Sequence, residues 1–140
     1  MITNHNNFLR LAFNIAKINL GKTSLNPSVG CVVVKNQSVI SSGFTSLNGR
    51  PHAEFNALNK KKNFKNSDLY VTLEPCTHYG KTPPCTKIIG KKGIKKVIYS
   101  FNDIDQRTAK KSKNELIKKK IIVHRKFNKK FVDFYKSYFY

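Results

Sequence analysis

The sequence is short of acidic residues, cysteine and long apolar runs, and each shortage excludes a class of protein. Its 140 residues include only 7 Asp and Glu against 27 Lys and Arg, which gives a formal net charge of +20. No apolar run approaches the roughly 18 residues that a transmembrane helix needs, so we expect no membrane association. Three cysteines are an odd count and do not form a disulfide framework.

The N-terminus lacks the basic start of a secretory signal peptide. Its first residues, MITNHNNFLRLAFNIAKINL, carry Arg10 and Lys17 among the apolar positions and indicate an amphipathic helix instead. Free thiols and the missing signal together predict a cytoplasmic protein. The 10 Phe and 6 Tyr argue against disorder, and the length leaves room for one core, so we expect a single folded domain.

The positive charge has two interpretations. A charge of +20 on one domain can mark a nucleic-acid binder. However, only 4 of the 27 basic residues are Arg, which is the better side chain for recognising phosphates and bases. The lysines form short scattered runs, and Asn is abundant at 15 residues, as AT-rich codons would produce. We therefore expect a largely compositional charge and no nucleic-acid partner.

Hydrophobic periodicity predicts an α/β fold. Helical spacing indicates helices over about 6–20, 52–61, 84–91 and 108–119, and β-rich runs indicate strands over 29–34, 38–44, 68–73, 96–101 and 121–123. The continuous β-branched run in 29–34 is typical of a strand buried on both faces. Strands that alternate with helices favour a three-layer α/β/α architecture around a mixed sheet of about five strands.

Residues 127–140 carry an aromatic stripe that sets them apart from the domain predicted over 1–126. Six aromatic residues recur at helical spacing and predict a C-terminal helix: Phe127, Phe131, Phe134, Tyr135, Tyr138 and Phe139. The stripe either packs on the domain core or docks on another chain, since large exposed apolar patches mark interfaces.

One histidine and two cysteines form a candidate metal site. They occur in three segments: Pro51-His52-Ala53-Glu54, Glu74-Pro75-Cys76 and Pro83-Pro84-Cys85. One imidazole and two thiolates suit Zn²⁺, and three protein ligands leave a position open for water, as in catalytic sites. Zinc lowers the pKa of that water, and Glu54 lies where a proton shuttle is needed.

The same residues also allow weaker interpretations. A single His-x-Glu is weak evidence, and a lone cysteine is usually a buried apolar residue, which is the role we assign to Cys31. A structural zinc would need a fourth ligand, which His78 could supply, but Glu54 would then have no role. The order and spacing of His52, Cys76 and Cys85 favour a catalytic zinc and are typical of zinc-dependent nucleobase deaminases.

The spacing of Cys76 and Cys85 narrows the choice among deaminase families. Eight residues separate these cysteines, whereas the common deaminase pattern has two. The blocks NPSVGCVVV (26–34), HAEFNAL (52–58) and LYVTLEPCTHYGKTPPC (69–85) closely resemble the deaminase domain of the bacterial bifunctional riboflavin-biosynthesis deaminase–reductases. That family belongs to the zinc-dependent cytidine-deaminase-like superfamily. The resemblance runs in order from about Phe8 to Phe131.

The resemblance implies a specific reaction. The family hydrolyses the 2-amino group of 2,5-diamino-6-(5-phosphoribosylamino)pyrimidin-4(3H)-one, which yields ammonia and 5-amino-6-(5-phosphoribosylamino)uracil. By residue match, His52, Cys76 and Cys85 would hold one zinc per chain, and Glu54 would shuttle protons. The implied substrate contacts are Asn26 on the pyrimidine, Lys81 on the ribose phosphate, Ala53, Asp103 and Asp105.

Three positions depart from the family pattern. The family usually has a His two residues after the glycine that ends the second strand, and this chain has Thr45 there. Asp105 stands in place of an Asn and adds negative charge where a phosphate should lie nearby, and a following Gly-x-Gly is missing. These changes bear on substrate affinity more than on zinc chemistry.

The chain stops at Tyr140, where the bifunctional enzymes continue into a reductase domain. We therefore expect a stand-alone deaminase without an NADPH site, whose phosphorylated pyrimidine product passes to a separately encoded reductase. The aromatic tail is a candidate docking site for that reductase or for a second copy, and we expect a homo-oligomer. Two alternatives stay open: a tRNA adenosine deaminase, which the charge favours, and a non-catalytic zinc-bearing RNA-binding module.

Overall fold

The structure is a computed structural model that describes residues 4–104 and 108–136. Its strands are β1 (Gly30–Lys35), β2 (Ser38–Phe44), β3 (Asp68–Leu73), β4 (Lys96–Phe101) and β5 (Ile122–Arg125), and its α-helices are α1 (His5–Ala16), α2 (Ala53–Leu58), α3 (Cys85–Lys91) and α4 (Ser112–Lys118). The strands form one sheet in the order β2-β1-β3-β4-β5. β1 runs antiparallel to β2 and β3, whereas β3, β4 and β5 are parallel. The predicted mixed five-stranded α/β fold is confirmed.

Helices cover both faces of the sheet. On one face, strand residues such as Val32 and Tyr70 pack with Leu9 and Ala12 of α1. The opposite face packs with apolar residues of α2, α3 and α4, namely Ala57, Leu58, Ile89 and Leu116. Successive side chains of a strand point to opposite faces, so the buried stretch 31–34 of β1 needs apolar residues on both faces. Cys31 is accordingly a fully buried free cysteine, as predicted.

The helices are shorter than the periodicity predicted. α1 ends at Ala16 rather than near Leu20, and Ile18 and Leu20 are 56% and 51% exposed. α4 begins at Ser112 rather than near Thr108, because Lys110 has a φ of +62°, which a right-handed helix does not tolerate. α2 is likewise confined to Ala53–Leu58. None of the helices in the described residues is long and apolar enough to span a membrane.

The described part of the tail is not the predicted α-helix. Lys129–Tyr135 forms a 3-10 helix, whose aromatic residues pack against the core. Phe131 stacks on Phe13 with ring centroids 4.0 Å apart, and Tyr135 is only 2% exposed. The boundary between a domain over 1–126 and a segment over 127–140 stays a prediction. The last two residues of the predicted stripe, Tyr138 and Phe139, lie outside the described residues.

Candidate active site

Three segments next to helices and strands bring His52, Cys76 and Cys85 together. His52 directly precedes α2, Cys76 follows β3, and Cys85 is the first residue of α3. The Nδ1 atom of His52 lies 3.7 Å from the Sγ atom of Cys76 and 3.6 Å from that of Cys85. Ligand atoms around a tetrahedral zinc lie about 3.5–3.8 Å apart, given metal–ligand distances of about 2.0–2.3 Å. The donor types and their spacing therefore fit one zinc ion.

His78 does not join this group. Its Nδ1 atom is hydrogen-bonded to the Thr108 hydroxyl at 2.9 Å. Among the described residues, the cluster of potential ligands at this place contains only His52, Cys76 and Cys85, whose ligand atoms lie within 4.8 Å of one another. A set of three leaves a coordination position open, so the geometry does not support a closed four-ligand structural site with His78.

The two thiols influence each other's ionisation. The backbone N–H of Cys85 donates a hydrogen bond to the Sγ atom of Cys76 at 3.1 Å. Hydrogen bonds from the Cys85 thiol and from His52 lower the pKa of Cys76 to about 4 against the opposing effect of burial. The hydrogen bond to Cys76, followed by burial, raises the pKa of Cys85. One thiolate thus forms readily, and a bound dication is what favours the second.

Glu54 supplies a buried carboxyl group beside the three ligands. It lies in the first turn of α2, is 4% exposed, and lines a cavity together with His52 and Cys76. Burial, and then the charge of Cys76, raise the pKa of Glu54 to about 7, while His52 opposes the rise. A carboxyl group with a pKa near neutrality is able both to accept and to return a proton.

The predicted substrate contacts are distributed unevenly around this cavity. Asn26 and Asp103 line it, and the Asn26 side-chain amide donates to the Gly49 carbonyl at 2.9 Å. Ala53, which stands between His52 and Glu54 in the sequence, is fully buried. Lys81 is exposed and is not among the residues that line the cavity. Asp105 lies outside the described residues.

Thr45 occupies the position where the resemblance leads one to expect a histidine. It also lines the cavity, but it is buried and its hydroxyl group is engaged by the backbone. The Thr45 hydroxyl accepts from the Val29 N–H at 2.9 Å and donates to the Pro27 carbonyl at 3.3 Å. Thr45 therefore holds the turn that precedes β1 in place.

Glu74 is a site residue that the motif analysis missed. It is 3% exposed, and its Oε1 atom accepts from the backbone N–H groups of Asp103 and Lys110, each at 3.0 Å. Its Oε2 atom accepts from the N–H of Ser112 at 3.1 Å. The carboxylate thus fastens the segment after β4 to the end of β3 and holds Asp103 at the cavity. Its position two residues before Cys76 was the available signal.

Arg50 was missed as well. Its side chain lines the cavity, and its Nη1 atom donates to the Thr82 hydroxyl at 3.1 Å. The sequence offered only its position two residues before His52, which does not distinguish it in a chain with 27 basic residues.

Comparison with known proteins identifies the relatives of this chain. Residues 2–101 match the family model for the cytidine and deoxycytidylate deaminase zinc-binding region. The diaminohydroxyphosphoribosylamino-pyrimidine deaminase of Buchnera aphidicola subsp. Schizaphis graminum is 43% identical over 117 residues, which cover 83% of this chain and 80% of that protein. The riboflavin biosynthesis protein RibD of Aquifex aeolicus is 47% identical over 98 residues, which cover 69% of this chain and 28% of that protein.

A solved structure gives the same relationship. The diaminohydroxyphosphoribosylaminopyrimidine deaminase/5-amino-6-(5-phosphoribosylamino)uracil reductase of Thermotoga maritima superimposes with a TM-score of 0.85 at 35% identity, over 94% of this chain and 38% of that one. The chain thus spans well under half the length of these longer relatives. These matches, together with the His/Cys/Cys cluster beside Glu54, show that the chain belongs to the cytidine and deoxycytidylate deaminase family and, within it, to the group of riboflavin-biosynthesis deaminases.

Proposed function

We propose that this chain hydrolyses the 2-amino group of 2,5-diamino-6-(5-phosphoribosylamino)pyrimidin-4(3H)-one, forming ammonia and 5-amino-6-(5-phosphoribosylamino)uracil. The observation that carries the proposal is a buried carboxyl group, Glu54, beside the cluster of His52, Cys76 and Cys85, of which His52 and Cys76 line the same cavity as Glu54. The Buchnera relative that this chain matches over 80% of its length is named for the same deaminase activity.

The metal assigned to this cluster is one zinc ion. Two thiolates and one imidazole are soft and borderline ligands, which suit zinc better than magnesium or calcium. When bound, zinc lowers the pKa of a water molecule and so makes a nucleophile available at neutral pH. His52, Cys76 and Cys85 fix the position of that nucleophile relative to the cavity.

Glu54 is proposed to move the protons. The reaction forms a carbon–oxygen bond and breaks a carbon–nitrogen bond, and the amino group must gain a proton to leave as ammonia. Glu54 accepts a proton from the attacking water and delivers it to the ring nitrogen. It then accepts the second proton, from the hydroxyl group newly bound to the ring carbon, and delivers it to the amino group, which leaves as ammonia while that oxygen becomes the carbonyl of the product. Burial, the largest cause of the shift, raises the pKa of Glu54 above its ordinary value in the metal-free protein, which brings the group closer to the neutral pH at which it must both accept and return a proton.

The remaining site residues are proposed to orient the substrate. Because its amide nitrogen is bound to Gly49, Asn26 offers its side-chain oxygen to an N–H group of the pyrimidine. Asp103 lines the same cavity, and Ala53, Lys81 and Asp105 complete the proposed contacts. We place the reaction in the cytoplasm, where the three free cysteines stay reduced, and we assign the next step to a reductase.

Ammonia release by the purified, zinc-loaded protein tests the proposal. The diaminopyrimidinone ribosyl phosphate, cytidine and an adenosine-containing tRNA loop are offered in parallel. We expect turnover of the first substrate alone. Glu54→Gln should lower kcat by about 10²–10⁴-fold, because general acid–base catalysis is lost. Glu115→Gln, which changes a partly exposed glutamate on α4 that does not line the cavity, is the matched control and should leave kcat unchanged.

The other outcomes assign a different function. Turnover of the tRNA loop alone would replace the proposal with a tRNA deaminase. A folded protein that binds one zinc and turns over none of the three substrates would support a non-catalytic zinc-bearing module.

A further inference from the structure

The charge of the cavity does not suit the proposed substrate unless a cation offsets it. Three carboxyl side chains line the cavity, from Glu54, Glu74 and Asp103, yet the substrate carries a phosphate. Among the described residues that line it, Arg50 is the only lysine or arginine. Lys81, which the resemblance assigns to the phosphate, is exposed outside this lining.

Arg50 is held where it can meet a ligand. It is half-buried between the approach to α2 and the loop between the two cysteines, and its Nη1 atom donates to the Thr82 hydroxyl. Within residues 4–104 and 108–136, no carboxylate forms a salt bridge with it. Its positive charge is therefore available to an anion.

His78 lines the same cavity and lies near Arg50. A Cβ atom placed on Gly80 would lie 3.7 Å from the Nη2 atom of Arg50 and 3.9 Å from the Nε2 atom of His78. The hydrogen bond of His78 to Thr108 uses its Nδ1 atom, which leaves Nε2 for a ligand. The guanidinium group and the imidazole thus both lie within 4 Å of the position of the Cβ atom that Gly80 lacks.

We propose that Arg50, with His78 beside it, binds the phosphate group of the substrate. This inference rests on the proposed function and names the phosphate site within it. The guanidinium fork matches phosphate oxygens in a bidentate manner, which a lysine cannot reproduce. Arg50 would then supply the polar contact to the sugar phosphate that is lost at Thr45, whose hydroxyl group is committed to the backbone of Val29 and Pro27.

Steady-state kinetics with the zinc-loaded protein test this inference. Arg50→Gln should raise KM for the phosphorylated substrate by about 10- to 100-fold, as expected for the loss of hydrogen bonds to a charged group, with little change in kcat. The KM of Arg50→Lys should lie between those of the wild type and Arg50→Gln. Lys81→Gln should raise KM less than Arg50→Gln does. With the dephosphorylated riboside, wild type and Arg50→Gln should have the same KM. Equal thermal unfolding would show that the variants are folded.

Two results would overturn the inference while leaving the deaminase function intact. One is turnover by the wild type with an unchanged KM in Arg50→Gln. The other is a KM increase confined to Lys81→Gln.

A binding measurement separates this inference from the proposed function. Inorganic phosphate and ribose 5-phosphate are titrated into zinc-loaded protein and followed by NMR, which needs no turnover. Saturable binding by the wild type that is lost in Arg50→Gln supports the phosphate site even if the deamination assay fails. Equal binding by both proteins overturns it, whatever the assay gives.

Discussion

Glu54 stands in a position that favours chemistry at the expense of stability. Its carboxyl group is almost fully buried, and burial is the main cause that raises its pKa from the ordinary 4.5 to about 7. In the unfolded chain the same group ionises at its ordinary pKa. Above that pH, folding must either keep the proton on Glu54 or bury its charge, and both cost free energy.

The stability of the zinc-depleted protein should therefore carry a component that depends on Glu54 and on pH. Below pH 4.5 the group is protonated in both states and costs nothing. Between pH 4.5 and about 7 the folded state holds a proton that the unfolded state has lost, so stability falls as pH rises. The total loss is about 3 kcal/mol, at about 1.4 kcal/mol per pKa unit, and it stays constant at higher pH.

Glu54→Gln removes this component. Chemical denaturation of both zinc-depleted proteins at a series of pH values should give a stability difference in favour of the glutamine variant that grows from pH 4.5 to about 7. Subtracting the two curves cancels the titrating groups that do not interact with Glu54, while changes in the pKa values of the neighbours His52 and Cys85 remain in the difference. A difference that does not vary with pH would contradict the raised pKa of Glu54.

The sequence identified the site residues that belong to a recognisable motif and missed the site residues that do not. Short patterns whose chemistry is recognisable contain His52, Cys76, Cys85 and Glu54. The structure brings the three ligands together and places Glu54 at the cavity that His52 and Cys76 line. Arg50 has no such pattern, because its partner Thr82 lies 32 residues away and one arginine does not stand out among so many cations. Its place at the cavity is a property of the fold.

The same distinction applies to whole elements. The strands were predicted closely, since β-branched runs and the tight turn after Lys35, where Asn36 and Gln37 have positive φ, are local signals. The helix predicted from Thr108 begins later because tertiary contacts override local propensity. Thr108 instead accepts from the Thr77 N–H and meets His78, while the N–H of Lys110 turns to Glu74.

Glu74 should therefore control the order of the segment between β4 and α4. Glu74→Gln leaves one acceptor oxygen for three backbone N–H groups and faces some of them with its own NH₂ group. We expect a loss of about 1–3 kcal/mol in unfolding free energy, because buried donors lose their partners. Hydrogen exchange at the amides of Asp103, Lys110 and Ser112 should accelerate.

Glu115→Gln is the matched control for this change, because the Glu115 side chain is 42% exposed and forms a surface ion pair with Lys118. It should leave both stability and the three amides unchanged, as surface ion pairs contribute little. Unaltered protection of the Lys110 and Ser112 amides in Glu74→Gln would show that the carboxylate does not fasten this segment.

At the scale of the whole molecule, hydrogen bonds connect the C-terminal segment to the residues that follow Asn26 at the cavity. The Tyr135 hydroxyl donates to the Ser28 carbonyl at 3.0 Å and is hydrogen-bonded to the Thr72 hydroxyl at 2.5 Å. Thr72 in turn accepts from the N–H of Gly30 at 3.2 Å. Ser28 follows the turn that carries Asn26, so one side chain joins the end of the chain to β3 and to the substrate side of the site.

This connection separates the two interpretations of the aromatic tail. An aromatic stripe that served only as a docking surface would be exposed, whereas Tyr135 contacts the ring of Phe101 edge-on at a centroid distance of 5.7 Å and is buried. The aromatic residues of Lys129–Tyr135 therefore behave as part of the core, whereas Phe127, which also belongs to the stripe, is 49% exposed. Its removal should expose Phe13 and Phe101, so a truncation after Arg125 tests stability before it tests assembly.

Tyr135→Phe is the sharper variant, because it keeps the ring and removes only the hydroxyl group. We expect a loss of about 1–3 kcal/mol in unfolding free energy, since the buried Ser28 carbonyl loses its donor and the Thr72 hydroxyl loses a partner. KM should also rise, because the turn that positions Asn26 is less firmly held. Tyr79→Phe removes the same group from a side chain that is 68% exposed and should change neither quantity. Equal unfolding free energies for the two variants would mean that the hydroxyl of Tyr135 does not join the tail to the site, and that the tail contributes through its rings alone.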